Sequence, residues 1–194
     1  MRSVSPEIKN IHSELLSDNW YVLKKYTYEM RRRDGTWQRQ SREAYDRGHG
    51  AAILLYNSEK RSVVLTRQFR LPVYLHNGNG FLIEAAAGLL DEASPEERIV
   101  AEAREETGFD IAAPEKVFEA FMSPGSVTEK LYFFIAEYSE KDRRTSGGGL
   151  EDEGEDIEVL EWPVERALAA VRSGEIEDAK TIMLLQYLAL NSRV

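Results

Sequence analysis

Residues 88–109, GLLDEASPEERIVAEAREETGF, leave the middle of this chain little conformational choice. Ser94-Pro95-Glu96-Glu97 reads as a capping box with proline at the first helical position, and Gly108 stands where such a helix would end on a left-handed residue. The helix between them carries Glu102, Glu105 and Glu106, which a spacing of three and four residues sets on one face. Glu102 and Glu106 form a like-charge pair one turn apart, with Asp110 a further four residues on. Such a pair weakens a bare helix by roughly a few tenths of a kcal/mol, and a cation reverses the sign. Hard divalent ions take carboxylate oxygens, and Mg²⁺ commonly bridges protein carboxylates to substrate phosphates. The turn therefore points to phosphate chemistry, the competing reading being a solvated acidic face.

The flanking segments fit that reading. Trp20 to Arg33 is rich in aromatic and β-branched residues, Asp34-Gly35 supplies hairpin turn chemistry, and a second strand follows over Thr36 to Tyr45, with a third possible before Trp20. A unit this small cannot bury both faces alone, and a second subunit is one candidate cover. Asp46-Arg47-Gly48-His49-Gly50 marks the boundary, giving residues 1–47 as an N-terminal β domain and 48–194 as the main domain. Strands are expected at 51–56 and 62–69, then at 81–88 after the Asn77-Gly78-Asn79-Gly80 loop, leading straight into the acidic helix. Further strands are expected at 116–122, 131–138 and 157–162, and helices at 163–172 and 178–190. Residues 141–156, KDRRTSGGGLEDEGED, read as a mobile loop because they hold too much glycine and charge to pack. Strands with helices inserted between them make this an α+β protein with a mixed sheet.

The chain of 194 residues carries a net charge of −9 and no cysteine. The charge argues against nucleic acid or an anionic membrane as the main partner, and the missing cysteines exclude disulfides, a thiol nucleophile and Cys-based zinc sites. MRSVSPEIKNIHSELL lacks the apolar core of a signal peptide, and no run approaches the ~20 apolar residues of a membrane span, so a cytoplasmic location is expected. His12, His49 and His76 are too scattered to suggest a ligand set, and Ser123 and Ser126 lack a hydrolase elbow.

The stretch AGLLDEASPEERIVAEAREETGF resembles the box of the Nudix hydrolases: a glycine-led loop, a helix with Glu-x-x-Glu-Glu, and a closing glycine followed by an apolar residue. Two slots depart from the family, since the loop is one residue short with Ser94 near the family glutamate, and Ala101 stands where an arginine precedes Glu102. Arg98, one turn before Glu102, is placed to supply the missing charge. SDNWYVL, SREAYDRG, LTRQFR, SPGSVTE, GGGLEDEGEDIEVLE and DAKT extend the resemblance over nearly the whole chain to the bacterial GDP-mannose pyrophosphatase branch.

The resemblance implies an α/β/α sandwich behind a small antiparallel domain, and Mg²⁺-dependent hydrolysis of a nucleotide sugar, with Mn²⁺ as a possible substitute. It implies metal ligands at the Ala87 carbonyl, Glu102, Glu106 and Glu155, with Glu153 as base and Glu105 on the same catalytic turn, the Glu153 and Glu155 roles being exchangeable. Substrate contacts are implied at Arg70, Glu129 and Lys180, and at Trp20, Ser41, Arg42 and Glu43 of the N-terminal domain, which reach the site of the other subunit in a homodimer. ADP-ribose hydrolysis and a non-catalytic metabolite sensor are the alternatives.

Overall fold

The structure is a computed structural model that describes residues 6–193, the side chain of Glu153 excepted. The chain divides into two compact units, one of residues 1–49 with 121–130 and one of residues 50–120 with 131–194.

The first unit is built on an antiparallel sheet of β1 (Ile8–Asp18), β2 (Val22–Arg31) and β3 (Trp37–Asp46), in that order. The expected turn joins β2 to β3. Gly35 takes φ 84°, and Asp34 accepts hydrogen bonds from the Thr36 amide (2.9 Å) and hydroxyl (2.6 Å), which is why Asp-Gly closes the hairpin. The SPGS turn belongs to this unit as well. Tyr45 and residues 126–128 exchange backbone bonds, from the Tyr45 amide to Ser126 (2.8 Å) and from the Thr128 amide to Tyr45 (3.1 Å).

In the second unit, β4 (Gly50–Asn57) and β5 (Ser62–Phe69) precede a short helix α1 (Leu71–Asn77), then β6 (Phe81–Glu84) and β7 (Ala86–Leu89). Helix α2 (Pro95–Glu102) runs into a π-helical turn at Ala103–Thr107. Strands β8 (Glu115–Phe121), β9 (Lys130–Glu137) and β10 (Glu158–Pro163) and helices α3 (Val164–Ser173) and α4 (Ala179–Leu190) complete it. The sheet runs β10-β5-β4-β9-β8, with β6 added to β5 and β7 to β4. It is mixed, because β4 and β9 are parallel and the β4–β5, β5–β10, β5–β6 and β4–β7 pairs antiparallel.

Every residue of β4 is buried, so it reads as an unbroken apolar run instead of alternating. Ala51, Ile53 and Leu55 pack with Ile99 of α2 and Ala103 of the π turn. Ala52 and Leu54, equally buried, point to the opposite face. There Ala52 neighbours Phe133 in register, Phe133 meets Phe118 at 4.6 Å between ring centroids, and Phe118 meets Tyr187 of α4 at 6.0 Å. The sheet is thus sandwiched between helices, as the resemblance implied.

Three local features differ from the sequence reading. The segment 81–88 breaks at Ala85 into two strands paired with different partners. Helix α1 precedes the expected Asn77–Gly80 loop, in a stretch for which the sequence reading gave no element; Pro72 opens it and Gly78, at φ 75°, ends it by donating to the Tyr74 carbonyl at 2.8 Å. The glycine-rich loop is docked along its middle instead of hanging free, as described next.

Candidate metal and diphosphate site

The capping box forms as expected, with the Ser94 hydroxyl accepting from the Glu97 amide and the Glu97 carboxylate from the Ser94 amide. It aims the helix so that Glu102 and Glu106 turn inward. Their residues are only 4% and 1% exposed. The π turn widens the helix between them, an irregularity that π turns often bring to functional sites. Gly108 ends the turn at φ 82°, its amide donating to the Arg104 carbonyl at 3.0 Å.

The leading glycine of the box has a steric reason. A Cβ on Gly88 would stand 1.7 Å from Glu102 Oε1, so the carboxylate occupies the space that any other residue would fill. On the same strand the Ala87 amide donates to Glu106 Oε2 at 3.3 Å. Burial pushes the Glu102 carboxyl up to about 7, with Arg98 opposing and the charges of Glu105 and Glu155 adding. Burial likewise drives Glu106 well above the ordinary carboxylate range, with Glu102, Glu155 and Glu84 adding and Arg70 opposing. Glu105 is only partly buried and acts on Glu102 through its charge.

Arg98 takes the position the sequence suggested. Its Nη2 lies 2.6 Å from Glu102 Oε1, and its Nε is buried with no hydrogen-bond partner among the described residues. Glu155 Oε2 accepts from the Leu150 amide at 2.9 Å while its charge reaches both helix glutamates. With these carboxylates held on protein donors, no three His, Asp or Glu side chains stand in metal-ligand geometry among the described residues. The donor set still fits a hard cation: all-oxygen, buried at Glu102 and Glu106, and incompletely compensated by the one arginine in contact with it among the described residues.

The glycine-rich loop is fastened to the end of this helix. Gly148 and Gly149 amides donate to the carbonyls of Glu106 (2.9 Å) and Glu105 (3.0 Å), and the Arg144 amide donates to Gly108 (2.7 Å). These bonds satisfy carbonyls that a helix end otherwise leaves orphaned. A Cβ on Gly147 would lie 2.4 Å from the Glu106 carbonyl, so glycine is required here for close approach as much as for flexibility. Glu153 lies in a short 3-10 turn, Glu151–Glu153; its side chain falls outside the described residues.

The two cations expected on phosphate come together on a residue the sequence reading passed over. Glu84, 2% exposed at the end of β6, accepts from Arg70 Nε at 2.7 Å on one oxygen and from Lys180 Nζ at 3.1 Å on the other. Lys180 also donates to Asp178 at 2.6 Å. Burial works against both cations, but Glu84, joined by Asp178, outweighs it and holds each above its ordinary value. A lone glutamate inside the apolar run FLIEAAAG was the available signal, since a charge in a buried strand requires partners.

The remaining candidates belong to the first unit. Trp20 is 82% exposed and stacks on Tyr21 at 5.6 Å. Ser41, Arg42 and Glu43, on exposed β3, line with Lys25, Gly125 and Ser126 a shallow depression of about 390 Å³. Glu129 pairs with Arg47 at 3.3 Å.

Comparison with known proteins follows the same division. Residues 46–185 match the NUDIX domain family, and residues 7–45 match the GDP-mannose pyrophosphatase NudK N-terminal domain family. The GDP-mannose pyrophosphatase of Pectobacterium atrosepticum is 56% identical over 185 residues, covering 95% of each chain. That of Salmonella arizonae is 53% identical over 189 residues, covering 97% of this chain and 98% of its own. Among solved structures, one titled "Crystal structure of ADP compounds hydrolase" superposes with a TM-score of 0.73 at 18% identity over the full length of both chains, a likeness of fold.

Proposed function

This chain belongs to the Nudix family, and we propose that it hydrolyses the diphosphate bond of nucleoside diphosphate sugars, GDP-mannose foremost, to GMP and mannose 1-phosphate. The observation that carries the reading is the buried Glu102–Glu106 pair with Glu102 seated in the space of the Gly88 side chain. The choice of GDP-mannose follows the names of relatives that match over nearly the whole chain.

Nudix hydrolases use divalent metal ions, and here Glu102, Glu106, the Ala87 carbonyl and Glu155 would hold Mg²⁺, with Mn²⁺ able to replace it. Such an ion supplies charge neutralisation at the diphosphate and a more acidic bound water. The protein's own part is orientation and proton handling. Arg98 fixes Glu102, and the Gly147–Gly149 segment ties the residue-155 loop to the helix that carries Glu106. Glu153 takes the proton of the attacking water as one P–O bond forms and the bridging P–O bond breaks, with Glu155 as the alternative base and Glu105 supporting the turn. Arg70 and Lys180 face the phosphates, where developing charge needs fixed donors.

The N-terminal unit, taken as 1–47, supplies recognition through Trp20, Ser41, Arg42 and Glu43 in a homodimer that places it over the other copy's site, and Glu129 is a further substrate contact. Two features support the dimer: Ile8, Ile11, Leu15 and Leu16 are exposed on β1, and residues 1–47 carry net +3 against net −12 for the rest. Among the described residues no helix is long and apolar enough to cross a membrane, and the cytoplasm is the compartment proposed.

The test is phosphate release from GDP-mannose, ADP-ribose and other nucleotide sugars at equal concentration, with and without Mg²⁺. GDP-mannose should head the panel and require the ion. Binding without turnover across the panel would select the sensor alternative instead.

A further inference from the structure

Glu84 has no place in the reading above, yet it is the joint on which both proposed phosphate ligands are mounted. Its carboxylate is enclosed, its two oxygens go to different cations, and those cations come from opposite directions in sequence, Arg70 at the start of α1 and Lys180 in the first turn of α4. The start of α4 is itself stapled to the strand. Asp178 caps the helix by accepting from the Thr181 amide (2.9 Å) and hydroxyl (2.7 Å), and the Thr181 hydroxyl oxygen accepts from the Ala85 amide at 2.6 Å. Thr66 completes the frame, its hydroxyl donating to the Glu84 carbonyl at 3.2 Å.

Each cation keeps donors in reserve. Among the described residues Arg70 bonds Glu84 through Nε alone, which leaves the guanidinium fork to a ligand, and Lys180 donates two of its three protons. The arginine side chain is 40% exposed and the lysine 18%, so both are reachable while their inner ends are fixed. The cluster Arg70, Lys180, Glu84 and Asp178 is formally neutral. Net charge therefore cannot be what it offers a diphosphate; it offers oriented N–H groups at a set separation, and Glu84 sets that separation.

We propose that Glu84 is a positioning residue for substrate: it holds Arg70 and Lys180 in the spacing that one diphosphate needs, and with Thr66 and Thr181 locks that pair to the strand leading to Ala87. The inference rests on the reading of Arg70 and Lys180 as phosphate ligands.

A double-mutant cycle tests it, with GDP-mannose turnover under saturating Mg²⁺. E84Q should lower kcat/KM by roughly thirtyfold or more, mainly through KM, and E84D should recover part of the loss. The rise in Tm on adding Mg²⁺ should persist in E84Q, which separates loss of cation alignment from loss of fold or metal site. In an R70A/K180A background the further change E84Q should cost less than about threefold, because nothing remains for it to align. An unchanged KM in E84Q, or an equal loss in both backgrounds, overturns the inference. R70A and K180A each leaving kcat/KM intact would instead overturn the reading beneath it.

Discussion

Two groups of buried carboxylates lie in the same unit and are treated oppositely. Glu84 is met by an arginine on one oxygen and a lysine on the other and sits in a formally neutral cluster. Glu102 and Glu106 lie equally deep and repel one another, and among the described residues one arginine, Arg98, contacts the pair, touching Glu102 alone. Isolated buried carboxylates are costly enough to change protonation state in preference to staying charged unpaired. The first group shows that this fold can supply cations where it needs them; the second is where, on the proposed reading, a cation would come from solution.

Replacing Glu106 by Gln attacks that contrast most directly. At least a thousandfold loss of kcat is expected, on the order of removing an essential charge from a metal site. Metal-free E106Q should melt no lower than the parent at pH 8, because an amide resembles the protonated carboxyl that burial favours, and its Tm should no longer rise with Mg²⁺. Full activity at saturating Mg²⁺ would remove Glu106 from the ligand set.

The glycine loop gives the next largest effect. Gly147→Ala, at φ 70° with its new Cβ against the Glu106 carbonyl, should detach residues 147–149 from the helix end and cut kcat by roughly a hundredfold, with kinetics and amide exchange at Gly148 and Gly149 as readouts. Parental kcat with the exchange protection lost would show that docking is irrelevant to turnover.

A pH series on the metal-free protein measures the imbalance itself. Glu102 has its folded pKa raised to about 7 from an ordinary 4.5, so the unfolded chain ionises first. The contribution of this group is fully present below pH 4.5 and lost as pH climbs to about 7, at most about 3 kcal/mol. Tm should fall across that window and recover at pH 8 on adding Mg²⁺. E102Q should flatten the slope, and a parental slope in E102Q would assign it to other groups.

Which parts of this were readable from the chain follows from how local their causes are. The capping box, the Asp-Gly hairpin and the run of β4 depend on neighbours in sequence and formed within a residue or two of expectation. Helix α1 is only seven residues long, and its capping glycine lies in an Asn-Gly repeat that reads equally well as loop. The glycine-rich loop misled for a different reason: composition says that GGG cannot pack side chains, but its packing is backbone on backbone, visible only once Glu105 and Glu106 carbonyls lie beside it. Glu84 required a long-range fact, since its partners lie 14 and 96 residues away.

The smallest effect belongs to Arg98, where two terms compete. Its guanidinium orients Glu102 through the 2.6 Å contact, which favours metal binding, and it places positive charge beside the incoming ion, which opposes it. Supporting residues that hold a metal ligand in place typically contribute about 10–100-fold in affinity. The Arg98 side chain is only 23% exposed, so it gains its hold on Glu102 without a large further loss of freedom. Orientation should therefore prevail: Arg98→Ala should raise the Mg²⁺ concentration for half-maximal activity by about tenfold and leave kcat at saturating Mg²⁺ within about threefold. A lower half-saturation concentration would mean that repulsion dominates, and that Arg98 is a counter-ion the metal must displace instead of a substitute for the arginine missing at Ala101.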